Sequence, residues 1–174
     1  GPVTEADLAV DTYLRTSLLA ARPDYGWLSE ETEDNASRLT RDTVFIVDPI
    51  DGTRSFVEGA RTWAIFIAVA QRGIVTAAAI HLPQRNKLYA AGQGVGATLN
   101  GSPVRVGQAH TPPQVLAAKP NFEDRHWPRG RPDSHRHYRP SLAYRPALVG
   151  QGRFEGVLAP RPPGDWGLHA RAPR

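Results

Sequence analysis

The chain has 174 residues, of which 40% are apolar, and it contains no cysteine. This length allows one domain or two small ones, and the lack of cysteine excludes disulfides and thiolate metal sites. No apolar run approaches the roughly 18 residues of a membrane span and no signal peptide is visible, so the sequence predicts a cytoplasmic protein without a membrane partner.

Charge is distributed unevenly along the chain. Residues 1–60 carry 12 acidic and 5 basic side chains, whereas residues 61–174 carry 5 acidic and 16 basic ones, which gives the net charge of +4. An acidic cluster beside a basic half suits a small anionic substrate. A basic nucleic-acid-binding domain stays open as an alternative, but it is disfavoured because no zinc-finger, homeodomain or RNA-binding motif is present.

The first predicted element is a helix. Thr4 is a good N-cap, and an acid follows three residues later at Asp7, as in a capping box. Pro23 predicts that the helix ends near Ala21. A partial helical stripe is formed by Leu8, Asp11, Leu14 and Leu18. On this evidence Asp7 is either a capping acid in the first turn or a functional group.

Two carboxylates three residues apart follow the next long apolar run. That run, Val44 to Val47, predicts a buried strand, and Asp48 and Asp51 come directly after it. Such a concentration of negative charge is costly unless a cation neutralises it, and carboxylate oxygens suit Mg²⁺. The sequence therefore predicts a hard-metal site that handles a phosphate. The alternative is an Asp-Gly turn in which the acids act as caps.

The residues around these two acids have complementary properties. Pro49 removes an amide donor, so the Ile50 carbonyl is free to face a metal. Gly52 allows the backbone to approach a ligand. A short helix beginning at Gly52 and Thr53 would offer free amides to an anion, and the Thr53 hydroxyl could orient a water. A short strand over residues 25–29 would place Glu30 at its end.

Three segments resemble the inositol monophosphatase family, which includes 3′(2′),5′-bisphosphate nucleotidases and relatives of fructose-1,6-bisphosphatase. Residues 48–56 (DPIDGTRSF) resemble the signature D-P-I-D-G-T-x-N-F, with Ser55 where Asn is frequent. Residues 27–31 (WLSEE) resemble an upstream Glu-Glu element, whose metal-binding first Glu is Glu30 here. Residues 3–7 (VTEAD) resemble a helix-start element whose acid, Asp7 here, partners the motif threonine.

The resemblance implies a fold and a reaction. The fold would be α+β, a layered αβαβα sugar-phosphatase-like sandwich with an antiparallel meander, incomplete here at both ends. The reaction would be Mg²⁺-dependent hydrolysis of a small phosphate monoester. Two or more Mg²⁺ ions would be held by Glu30, Asp48, the Ile50 carbonyl and Asp51. Thr53, tied to Asp7, would orient the attacking water, and the amides of Gly52 and Thr53 would bind phosphate oxygens.

The basic residues bear on the substrate. Arg54 follows the motif threonine, as a basic residue does in many bisphosphate nucleotidases. This slightly favours 3′-phosphoadenosine 5′-phosphate over inositol monophosphate. Candidate contacts to a second phosphate are Arg129, Arg131, Arg136 and Arg139. A homodimer stays open.

The remaining elements follow from alternating apolar runs and turns. Strands over residues 63–70, 74–82, 87–91, 97–99 and 104–106 predict an antiparallel meander, in which Asn100 and Gly101 form a type I′ hairpin. A linker over residues 107–114 divides a metal-binding phosphatase domain, 1–107, from a partial second α/β domain, 108–174. The second domain would contain a strand at 115–118, a helix at 141–150 and a strand at 154–159. Residues 119–146 read as irregular, and their pair His135 and His137 is assigned to a solvated loop.

The end of the chain departs from the family pattern. The family has a Trp-Asp pair whose acid completes a metal site, but Gly167 stands where that acid is expected, and Asp165 comes two residues early. This supports a second hypothesis: a catalytically impaired fragment or pseudo-enzyme that binds metal or anions without turnover.

Overall fold

The computed structural model describes residues 3–158, which form two sheets and three α-helices. The helices are α1 (Glu5–Ala21), α2 (Thr53–Val57) and α3 (Tyr144–Gly150). The strands of the larger sheet are β1 (Gly26–Ser29), β2 (Thr43–Asp51), β3 (Ala64–Gln71), β4 (Ile74–Leu82), β5 (Lys87–Gly92), β6 (Gly96–Leu99) and β7 (Ser102–Val104). The smaller sheet contains β8 (Gln114–Ala117), β9 (His135–His137) and β10 (Gly156–Leu158). The predicted α+β class is confirmed.

Helix α1 begins and ends where the sequence predicts. The Thr4 side chain accepts from the Asp7 amide and the Asp7 side chain accepts from the Thr4 amide, which is a complete capping box. Leu14 and Leu18 pack against the larger sheet. The stripe is wrong at Leu8, which is half exposed, because the helix buries acidic residues instead in its first two turns.

The larger sheet contains the predicted meander. Its strands follow chain order from β1 to β7; β1 and β2 are parallel and every later pair is antiparallel. Asn100 and Gly101 both have positive φ, at 49° and 81°, as a type I′ turn requires. This two-residue turn pairs Leu99 with Ser102, so β7 begins and ends two residues before the predicted strand.

Strand β2 is longer than its apolar run. It continues through the motif to Asp51, and its pairing with β3 is irregular between Asp48 and Asp51. Pro49 lies within this irregularity, where a strand can dispense with one amide donor. Both acids therefore lie at a distorted strand end rather than in a separate loop.

The smaller sheet is parallel, in the order β10, β8, β9. The assignment of His135 and His137 to a loop is wrong, because both lie in β9, paired with β8 through Gln114 and Leu116. His137 Nε2 donates to Gln114 Oε1 at 2.5 Å, and its ring lies 5.3 Å from that of Phe154. The pairing joins residues 21 apart, which no local pattern reveals.

Helix α3 joins the two sheets. Its buried Tyr144 and Leu148 pack with Leu82 of the larger sheet and Leu116 of the smaller one. It begins three residues later than predicted, since residues 141–143 form the turn that precedes it. The predicted domain boundary at residue 107 stays a prediction. No helix within residues 3–158 combines the length and the hydropathy needed to cross a bilayer.

Candidate metal and phosphate site

Two of the predicted ligands lie on neighbouring parallel strands: Glu30 directly follows β1, and Asp48 lies within β2. β1 and β2 run in the same direction with Ser29 opposite Val47, so Glu30 and Asp48 follow at the same end of the sheet. The Glu30 amide donates to the Val47 carbonyl at 3.2 Å, which extends the strand pairing by one bond. The strand pairing places these two acids side by side, with Glu30 exposed at the surface and Asp48 partly buried.

Asp48 lies in a strongly unfavourable place for a negative charge. Burial, then the charges of Asp51 and Glu30, raise the pKa of Asp48 from its usual 3.8 to about 9, and a hydrogen bond with Glu30 adds to the rise. Burial also raises the pKa of Glu31, helped by the charges of Asp7 and Glu30. The ionised form of Asp48 is therefore disfavoured at this strand end by burial and by the neighbouring acids.

Asp51 is directed towards a distant part of the chain. Its carboxylate accepts hydrogen bonds from the Ser141 hydroxyl at 2.5 Å, the Leu142 amide at 3.1 Å and the Ala143 amide at 2.6 Å. Burial raises its pKa, and these three bonds and the charge of Arg145 oppose that rise. Asp51 thus caps the turn before α3, which is a structural role that the motif alone does not reveal.

The predicted ligands share a region without forming a finished metal cage. Within residues 3–158, no three acidic or imidazole groups are already spaced to hold one ion. Asp51, one of the predicted ligands, instead faces the turn before α3. The donor chemistry nevertheless fits a hard cation: Glu30 and Asp48 offer adjacent carboxylate oxygens, and the raised pKa of Asp48 reports charge that a cation would neutralise.

Thr53 links the motif to α1. Its hydroxyl lies 3.3 Å from Asp7 Oδ1 and 3.1 Å from the Ile50 carbonyl oxygen. Asp7 is fully buried, and its other oxygen accepts from the Thr4 amide at 2.8 Å and the Thr4 hydroxyl at 2.5 Å. The predicted contact between Thr53 and Asp7 is thus present in the structure.

Gly52 provides the turn between β2 and α2. Its φ is +93°, a left-handed conformation that glycine adopts without strain. The turn lets α2 begin at Thr53, and Phe56 of this helix packs edge-on against Trp63 with ring centroids 5.1 Å apart. The Gly52 and Thr53 amides therefore lie at a helix start beside the two motif acids.

The basic and C-terminal residues that the sequence suggested for the site lie in different places. Arg54 is exposed on α2. Arg131 pairs with Asp124 at 2.8 Å and Arg136 donates to the Ala117 carbonyl at 3.1 Å, so both are engaged in the smaller sheet and its loops. Asp165 and Gly167 lie outside the described residues.

Sequence reasoning missed two residues next to Asp51. Ser141 is fully buried and also accepts from the Tyr144 amide at 3.0 Å; a serine before a helix is a recognisable N-cap signal. Arg145 is only 4% exposed, donates to the Arg139 carbonyl at 2.7 Å and lies 5.0 Å above the Tyr138 ring. No local pattern indicates that this arginine faces the motif.

Residues 1–140 match the sequence profile of the inositol monophosphatase family, and these residues include the whole motif. The chain belongs to the inositol monophosphatase family. It is 41% identical over 105 residues to the histidinol-phosphatase of Chlorobaculum parvum, covering 60% of this chain and 40% of that protein. It is 39% identical over 110 residues to the inositol-1-monophosphatase of Rhizobium meliloti, covering 60% of this chain and 39% of that protein.

A solved structure supports the same conclusion. The extragenic suppressor protein suhB of Bartonella henselae superposes with a TM-score of 0.74 at 27% identity, covering 87% of this chain and 63% of that one. The chain spans about two fifths of the length of the two curated relatives described above, the histidinol-phosphatase and the inositol-1-monophosphatase.

Proposed function

We propose that this member of the family hydrolyses small phosphate monoesters with the help of Mg²⁺. The observation that carries the proposal is the cluster around Asp48, whose pKa rises to about 9 beside Asp51 and Glu30. A carboxyl group whose ionised form is so strongly disfavoured without a cation is typical of a site that receives one. The proposal also draws on family membership.

Four groups would hold the metal: Glu30, Asp48, the Ile50 carbonyl and Asp51. Bound Mg²⁺ would lower the pKa of a water and stabilise charge on phosphate oxygens. The Asp51 carboxylate would have to exchange at least one of its bonds to the turn before α3 for a metal contact. The number of ions, predicted as two or more, is part of the proposal.

Thr53 and Asp7 would orient the attacking water. The Thr53 hydroxyl has one proton and two acceptors within reach, Asp7 and the Ile50 carbonyl. By donating to either one, it leaves its lone pairs free to accept from a water. Asp7, held from behind by Thr4, keeps that hydroxyl oriented, so the pair would position the water and share its proton.

The Gly52 and Thr53 amides would bind the phosphate. They lie at the start of α2, where backbone N–H groups have no helical partner. Preorganised N–H donors stabilise charge that develops on phosphate oxygens. Arg54, exposed on the same helix, would add positive charge close by.

The substrate class is a small phosphorylated molecule, and relatives suggest which ones to test first. Histidinol phosphate and inositol 1-phosphate follow from the names of proteins 41% and 39% identical to this chain. The sequence-based preference for 3′-phosphoadenosine 5′-phosphate rests on Arg54 and on the basic half. We rank it after the other two, because the two most similar relatives reported above are named for other substrates.

Two observations favour the impaired-enzyme hypothesis as a second candidate. Asp51 is committed to three hydrogen bonds with the turn before α3, and Gly167 stands where the family has another acid. A chain with both ligands compromised would bind metal weakly and turn over slowly.

The test is phosphate release from all three substrates, in Mg²⁺ and in EDTA. The parent chain is compared with Asp48→Asn, with the exposed control Asp24→Asn, and with Gly167→Asp. We expect Mg²⁺-dependent release by the parent and the control, and at least about a 100-fold loss in Asp48→Asn. Release only by Gly167→Asp would favour the impaired enzyme. Equal release by the parent and Asp48→Asn would refute the site assignment.

A further inference from the structure

Asp11 is a buried acid that the proposed reaction does not use. It lies one turn after Asp7 on α1 and is only 6% exposed. It accepts a hydrogen bond from the Ser29 hydroxyl, and its other oxygen accepts one from the Thr32 hydroxyl at 2.5 Å. Aspartate is a poor residue for a helix interior and costly to bury. Its place in the apolar face of α1 therefore calls for a role beyond helix stability.

The two partners of Asp11 lie on either side of Glu30. Ser29 is the last residue of β1, and its hydroxyl oxygen also accepts from the Glu31 amide at 3.3 Å. Thr32 lies on the other side, two residues after Glu30. Asp11 thus holds both ends of the segment that presents Glu30, while the Glu30 amide is itself fixed to the Val47 carbonyl.

Asp7 makes a similar contact to the part of the site that contains Thr53. Its Oδ1 lies 3.3 Å from the Thr53 hydroxyl. Side chains four residues apart lie on the same face of a helix, about 6 Å apart along its axis. Helix α1 therefore contacts the Glu30 segment and the Thr53 turn through two acids at a fixed spacing.

We propose that Asp11 is a positioning residue, which holds Glu30 beside Asp48 through its bonds to Ser29 and Thr32. The consequence for metal affinity rests on the proposed function, whereas the effect on the segment itself does not. Acids and hydroxyls that orient metal ligands contribute about 10- to 100-fold to metal affinity in other proteins. An alternative in which Asp11 only stabilises α1 predicts no effect at Glu30.

The first experiment measures the segment without metal. Amide hydrogen exchange of residues 30–33 is followed in EDTA for Asp11→Ala, Thr32→Val and Thr32→Ser, with the exposed helix position Thr12→Val as control. We expect about tenfold faster exchange in Asp11→Ala and Thr32→Val, and a change within about twofold in Thr32→Ser and the control. Thr32→Val leaves α1 intact, so it decides the matter if Asp11→Ala does not fold. Unchanged exchange in Thr32→Val would overturn the inference.

The second experiment measures the Mg²⁺ concentration that gives half of the maximal thermal stabilisation. We expect about a tenfold higher concentration for Thr32→Val and recovery to within about twofold in Thr32→Ser. If the parent responds to Mg²⁺ and Thr32→Val responds at the same concentration, the inference is overturned. If the parent does not respond, the proposed function fails instead, and the exchange result alone decides the role of Asp11.

Discussion

Replacing Asp48 by asparagine is expected to stabilise the metal-free protein. The folded chain raises the pKa of Asp48 from 3.8 to about 9, so at neutral pH it must hold a proton that the unfolded chain releases. A carboxyl group whose pKa is raised by folding lowers stability as pH rises through the interval between the two values. Asparagine has almost the same shape and carries no charge, so it removes this penalty.

The magnitude follows from the width of the interval. Neutral pH lies about 3 units above the unfolded pKa, and each unit is worth roughly 1.4 kcal/mol, so the penalty at about pH 7 reaches up to about 4 kcal/mol. At about pH 3 the folded and the unfolded chain both hold most of the proton, and the penalty nearly vanishes. Asp48→Asn should therefore be more stable than the parent at neutral pH and nearly equal to it in acid.

The assay is urea unfolding followed by tryptophan fluorescence, in EDTA and in saturating Mg²⁺, over this pH range. Mg²⁺ should raise the free energy of unfolding of the parent, because it binds the folded form, and should raise that of Asp48→Asn much less. Asp24→Asn, at an exposed turn, is the control and should change little at any pH. A variant less stable than the parent in EDTA at neutral pH would refute this account of the charge around Asp48.

Three further predictions concern other parts of the site and fold. Gly52→Ala should lower the free energy of unfolding in urea by about 1 kcal/mol or more, because the φ of Gly52 is +93°. The control Gly150→Ala, at a helix end with open space around it, should be neutral or slightly stabilising. Ser141→Ala should lower the free energy of unfolding by about 1–2 kcal/mol, because it removes both a helix cap and a hydrogen bond to a buried carboxylate. The control Ser102→Ala, on an exposed edge strand, should leave the free energy of unfolding nearly unchanged. Glu155 has its pKa lowered to about 2 by an imidazole and two backbone amides, so its stabilising effect is present above its ordinary pKa of 4.5 and is lost as pH falls towards about 2. Glu155→Gln should flatten the melting temperature over that acid range, and an unchanged acid slope would contradict the assignment.

The elements that the sequence predicted well are those specified by neighbouring residues. Thr4 and Asp7 stand three residues apart, and their capping box is present at the predicted helix start. Asn100 and Gly101 force a two-residue turn by their own backbone preferences. The apolar run from Val44 to Val47 predicted a strand, the motif after it predicted a glycine and a short helix start at Gly52 and Thr53, and these elements are present.

The features that were missed depend on residues far apart in the chain. Strand β9 forms because His135 pairs beside Gln114, 21 residues earlier, and nothing in the local pattern distinguishes it from a loop. Asp11 was visible in the apolar stripe, but its partners at Ser29 and Thr32 become apparent only when α1 packs on the sheet. The direction of Asp51 is similar, since its donors lie 90 to 92 residues later.

That last separation has a consequence for the order in which the molecule assembles. The meander joins strands through short turns, so its contacts are local and form early, whereas the bond from Asp51 to Ser141 closes a loop of 90 residues. The motif can therefore adopt its strand and its glycine turn well before the carboxylate of Asp51 acquires its final direction. During synthesis, a nascent chain that extends only as far as the end of the meander would already place Glu30 and Asp48 at one strand end. The carboxylate of Asp51 would not yet have its hydrogen-bond donors, so its direction would not be fixed. The final direction of Asp51 would then be set when the turn before α3, the last helix in sequence order among the described residues, packs against the motif.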